Sequence, residues 1–76
     1  MSKLQIMDHS GHTTIEFDEA TKVGVSKAMK TFYSLVNDKK YTAGVRVKGG
    51  DGAFRVTRKF EPDAEEIIMM PPLQGG

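Results

Sequence analysis

The chain has no cysteine, no tryptophan and only three prolines. Without cysteine there are no disulfide staples, no thiol nucleophile and no thiolate ligands for zinc or an iron–sulfur cluster. That absence fits a reducing compartment, and a cytoplasmic location is expected. The longest uninterrupted aliphatic stretch, Ile67 to Met70, is far too short for a secretory leader or a membrane span, so neither is expected. An excess of either charge is also missing: 11 Lys and Arg face 10 Asp and Glu, a net charge of +1. A dedicated nucleic-acid binder is usually more basic, and no nucleic-acid partner is expected. At 76 residues there is room for one small domain. Such a chain buries only about 60% of the surface its unfolded form exposes, so its stability margin is thin.

What is present is a sequence of clear periodicities. Lys3 to Asp8 alternates, with Leu4 and Ile6 on one side and Lys3 and Gln5 on the other; Thr13 to Asp18 alternates again, with Ile15 and Phe17 inward. The intervening His9-Ser10-Gly11-His12 carries a turn glycine, so the two runs read as a β-hairpin. The period then changes. Val25, Ala28, Met29, Phe32, Leu35 and Val36 recur at steps of three and four, which predicts one apolar stripe on a helix. Asp18 and Thr21 are both suitable N-caps, Gly24 weakens the first turn, and the helix is expected to stop near Asn37-Asp38. Lys39 and Lys40 then face the negative end of the helix dipole.

A second hairpin follows. Tyr41, Ala43, Val45 and Val47 alternate with polar residues, Gly49-Gly50-Asp51-Gly52 signals a turn, and Phe54 to Phe60 reads as the partner strand with Phe54 and Val56 inward and Phe60 a further inward candidate. Pro62 to Glu65 reads as a single helical turn, and Ile67 to Met70, apolar on both faces, as a central strand. The predicted order is β-β-α-β-β-(short turn)-β. It is an α+β chain with a mixed sheet and one main helix packed on one face. The terminal strand can cover both its edges only in mid-sheet beside the first strand, which is the β-grasp arrangement. Residues 1–70 are expected to form the domain and residues 71–76 a projecting, flexible tail.

The tail is the most informative segment. It runs Pro71-Pro72-Leu73-Gln74-Gly75-Gly76. Two prolines remove N–H donors and end strand pairing near Met70. Two glycines lack side chains, so they pass through a channel too narrow for other residues. An acidic pair, Glu65-Glu66, precedes the apolar strand. With this ending the chain resembles the ubiquitin-like β-grasp proteins, and among them the small sulfur carriers of the molybdopterin-synthase small-subunit type. In those proteins an acidic pair, a short apolar strand, Pro-Pro, two residues and a terminal diglycine occur in the same order. The match is close over roughly the last twelve residues; the remainder agrees only in element order. The first hairpin turn is tighter than in most sulfur carriers, and Gly49 to Gly52 stands where many of them have an asparagine-containing segment.

The resemblance implies that a partner of the ubiquitin-activating type uses ATP to adenylate the carboxylate of Gly76, with Gly75 beside it. The product is then a thiocarboxylate for a sulfur-acceptor enzyme, or a conjugate on the lysine of a target protein. On this reading the chain is no enzyme and holds no cofactor; it is substrate and carrier. Leu73 and Gln74 would be held in the partner's groove. Arg46, Lys48, Arg55 and Lys59, expected on the sheet face opposite the helix, would form a docking patch for an acidic partner, although an ordinary solvated surface looks the same. The place of Arg58 depends on whether a bulge shifts the register. The alternative function is a non-covalent β-grasp interaction module or small regulator whose diglycine is incidental. Asp8, His9 and His12 crowd the first turn and include ligand types that zinc or nickel accepts. Two turn histidines without further ligands are more often plain turn residues, and no metal is assigned.

Overall fold

The computed structural model describes residues 1–8, 11–47 and 49–72. Strand β1 (Ser2–Asp8) and strand β2 (Gly11–Phe17) form the first hairpin. Helix α1 (Val25–Tyr33) continues into a π-helical segment, Ser34–Asp38. Strands β3 (Thr42–Val47), β4 (Arg55–Thr57) and β5 (Ala64–Met70) follow. The sheet order is β2-β1-β5-β3-β4; β1 and β5 run parallel and the other pairs antiparallel. This is a β-grasp sheet with its last strand at the centre. Among the described residues no helix is long and apolar enough to cross a membrane.

The alternation in each strand decides which face the helix covers. Leu4 of β1, Phe17 of β2, Ala43 and Val45 of β3 and Ile67 and Met69 of β5 all point at the helix and are buried, together with Ala28 and Phe32 of α1. Phe60 comes up from the loop after β4 and closes the core. Its ring centroid lies 5.4 Å from that of Phe17 and 5.8 Å from that of Phe32, both in tilted or edge-on geometry. Tyr33 packs edge-on against Phe32, and its hydroxyl oxygen accepts a hydrogen bond from the Phe60 N–H at 3.1 Å.

Several boundaries differ from the sequence reading, each for a local reason. The helix begins at neither Asp18 nor Thr21 but after Gly24, whose φ of 74° is left-handed. A Cβ on Gly24 would stand 2.2 Å from the carbonyl oxygen of Glu16, so only glycine permits this approach of the helix to β2. Asp18 and Thr21 serve the preceding turn instead: Asp18 accepts the Ala20 N–H at 3.0 Å, and its own N–H donates to the Val23 carbonyl at 2.8 Å. This turn closes the outer edge of β2 near Phe17. Gly24→Ala should therefore destabilise the domain by more than the roughly 1–2 kcal/mol of a left-handed alanine alone, because backbone must also move. A denaturant midpoint equal to wild type would remove this account of the junction.

The stripe is narrower than predicted. Ala28 and Phe32 are fully buried and Val25, Leu35 and Val36 pack on the core, but Met29 is 40% exposed. Past the helix, Lys40 takes a left-handed φ of 61°, and its ammonium donates to the Asn37 carbonyl at 3.1 Å, at the helix end where the dipole favours a cation. The expected strand from Phe54 to Phe60 shrinks to three residues, and its apolar pair faces the wrong way for a core. Val56 pairs with Gly44, so both belong to the face the helix leaves open; Phe54 and Val56 are 45% and 70% exposed. Val47 is exposed as well, beyond a bulge between Arg46 and Val47. The helical turn predicted over Pro62 to Glu65 is a turn at Pro62-Asp63 only. Strand β5 already starts at Ala64, which makes Glu65 and Glu66 strand residues.

Candidate functional site

The residues predicted to be activated or gripped by a partner, Leu73, Gln74, Gly75 and Gly76, lie outside the described residues, as does Lys48. What is described is their root. Strand β5 stays paired to β3 as far as Met70, opposite Thr42, and Pro71 and Pro72 follow with exposed side chains.

The predicted cations do not form one patch. Arg46 pairs with Glu66 across the sheet, and Arg55 pairs with Val45, the residue before Arg46 in β3. Neighbouring strand residues point to opposite faces, so Arg46 lies on the open face and Arg55 on the helix side. Both are already engaged. Arg55 holds Glu61 with two hydrogen bonds of 2.7 and 2.9 Å. Arg46 donates to Glu65 and to Glu66, each at 3.0 Å, and its guanidinium stands 5.8 Å from the centre of the Phe54 ring. Glu66 also accepts a hydrogen bond from the Gln5 amide. Lys59 is exposed, and among the described residues its ammonium has no ion pair; its backbone is tied to the Thr57 hydroxyl.

The double grip on Arg46 has a backbone cause. Arg46 is paired with Glu66 and Val47 with Ala64, which leaves Glu65 as the extra residue of a β-bulge. In a regular strand Glu65 and Glu66 would point to opposite faces; a bulge re-aims one of them. Both carboxylates therefore converge on one guanidinium. The hydrogen bond to Glu66 is the largest influence raising the Arg46 pKa, ahead of opposing desolvation and the charge of Glu65. A reversed charge at position 46 would set three carboxylates side by side, so it reads out sheet integrity rather than docking.

Glu61 shows the same logic at the other pair. Its hydrogen bonds from Arg55 hold the carboxyl below the usual glutamate range, against a smaller opposing effect of burial. A carboxyl with a lowered folded pKa contributes stability above its unfolded pKa and loses it as pH falls through the folded value. The melting temperature of wild type should therefore fall more steeply on the acid side than that of Glu61→Gln. Parallel acid limbs in a pH series of melts would contradict this.

The surface feature the sequence reading missed is apolar. On the open face Phe54, Val56 and Met70 are exposed and Ile68 is half-buried. Gly44 is the floor between them: a Cβ there would sit 3.7 Å from Phe54 Cβ and 3.8 Å from Met70 Cε. The signal was available in the glycine itself. An inward pattern through Ala43 and Val45 places Gly44 on the open face, and any residue paired with it must share that face. Contiguous exposed apolar groups of this kind mark protein contact sites more often than scattered ones do. Among the described residues no group of three or more His, Asp or Glu side chains could hold a metal ion; His12 is described and His9 is not. Compared with protein-family models, curated proteins and solved structures, the chain matches none.

Proposed function

We propose that the chain is a carrier of the ubiquitin-like kind, whose Gly76 carboxylate is adenylated by a partner enzyme with ATP and then converted to a thiocarboxylate or a conjugate. The observation that carries this reading is the diglycine tail, rooted directly at the bare apolar surface. Met70 is both a member of that surface and the last paired residue before Pro71-Pro72 and the diglycine. An enzyme that covers Phe54, Val56 and Met70 would have the tail's root at its contact, so docking and delivery of the terminus are one event. Positioning by such a contact is how an enzyme converts binding into reactivity at a remote atom. ATP, an activating enzyme and an acceptor would meet this chain in the cytoplasm. The same surface also supports the second reading, a non-covalent interaction module; only the chemistry of the tail separates the two.

The test uses cell extract and ATP radiolabelled at the α-phosphate. Label should pass to the chain as an acyl-adenylate. Val56→Asp and Phe54→Asp should reduce the rate of labelling by at least about tenfold, a little over 1.4 kcal/mol of lost docking, with melting temperature near wild type because both side chains are exposed. Equal labelling of wild type and variants would separate the surface from activation.

A further inference from the structure

A second feature lies where β3 and β4 part, beneath the end of the helical segment. It is a cleft of about 170 Å³, with Val36, Tyr41, Ala43 and Val56 supplying its apolar lining and Lys40 and Arg58 its cations. Its size and the sign of its charge decide what it can hold. Small-molecule and cofactor sites run to about 300–1,000 Å³, so this cleft takes one side chain rather than a whole cofactor. The charge is one-sided. Lys39 and Lys59 adjoin Lys40 and Arg58 in sequence, and among the described residues none of the four forms an ion pair; the chain's described ion pairs are those of Arg46 and Arg55. Lys40 is held in place by its left-handed backbone and its bond to Asn37.

From this lining we infer that the cleft is a docking point for an acidic segment of a partner protein, with one aliphatic side chain seated on Val36 and Tyr41 and flanking carboxylates on Lys40 and Arg58. The matching charges steer the segment and fix its direction. Thr42 also lines the cleft and is the strand partner of Met70, so the bound segment lies beside the root of the tail. The cleft shares Val56 with the open apolar face but does not rest on the carrier reading: it needs no activation of Gly76.

The experiment is a ¹⁵N NMR titration of the full chain with the peptide DDELEDD. Saturable shifts are expected around Val36, Tyr41, Ala43 and Arg58. Replacing the central leucine with serine, or introducing Arg58→Glu together with Lys40→Gly, should weaken binding by at least about tenfold, with the loss shrinking as salt rises. Glycine relieves the left-handed backbone at position 40, and the spectrum itself reports whether the variant is folded. Deleting Gly75 and Gly76 should leave binding unchanged, so failure of the carrier reading does not touch this one. Absence of saturable shifts overturns the proposal. So do shifts centred on Phe54 and Met70, or displacement of the peptide by a single-stranded oligonucleotide of equal charge, which would make the cations a generic polyanion surface.

Discussion

Deleting Gly76, or replacing Gly75 and Gly76 with alanine, is expected to abolish acyl-adenylate formation and every downstream product while leaving the melting temperature nearly unchanged. The two halves of this result have separate causes. Every buried apolar residue described lies between Leu4 and Met69, and strand pairing ends at Met70, so the core does not depend on the last residues. The proposed chemistry depends on them entirely. In a carrier the terminal carboxylate would have to meet the α-phosphate of ATP in line, and a misplacement of about 1 Å can cost on the order of a hundredfold in rate. An added methyl on either glycine also removes backbone conformations that only glycine reaches at low cost. Label transfer and a thermal melt, run on the same preparation, check both halves.

Phe32→Ala is expected to have the largest effect on stability. Phe32 is fully buried, and its ring meets those of Phe60 and Tyr33 at 5.8 and 5.2 Å. Removing a large core aromatic costs about 3–5 kcal/mol, and small domains hold only about 5–15 kcal/mol in total. For a chain of this size the loss corresponds to a fall in melting temperature on the order of 12–40 °C. Met29→Ala, on the same helix but 40% exposed, should change stability by only about 0.5 kcal/mol. Comparable losses for the two would mean that the helix lies on the sheet in a different phase.

Much of this architecture was legible because period and burial agree where an element lies deep in the sheet. Leu4, Ile15, Phe17, Val45 and Phe32 are all placed by alternation or by helical spacing. The terminal strand was identified as central because an apolar run is costly at an edge. Pattern fails where one side chain does not report its environment. Phe54 and Val56 look like core residues in sequence, but register with Gly44 puts them on the bare face. Gly24 reads as a weak helical residue until the Glu16 carbonyl is seen where a Cβ would stand; the requirement comes from a residue eight positions back. The acidic pair Glu65-Glu66 carried the resemblance to sulfur carriers, but its local role here is to bracket Arg46, and it does so only because of a bulge that no alternation announces. The common face expected for Arg46 and Arg55 was misplaced for a related reason: register with Val45 puts Arg55 on the helix side, and charge counts show neither register nor which cations are already paired.

The carrier reading rests on the terminus, and one measurement reads it directly: mass spectrometry of the C-terminal peptide of the chain isolated from its native cells. A peptide ending at Gly76 in modified form is expected. It should carry either a thiocarboxylate, heavier by roughly 16 Da as sulfur replaces oxygen, or an amide bond to a lysine of another protein, the two outcomes of capturing an activated carboxylate. A peptide found only with an unmodified carboxylate, in cells whose phenotype survives loss of Gly75 and Gly76, or a native peptide that continues past Gly76, would contradict it.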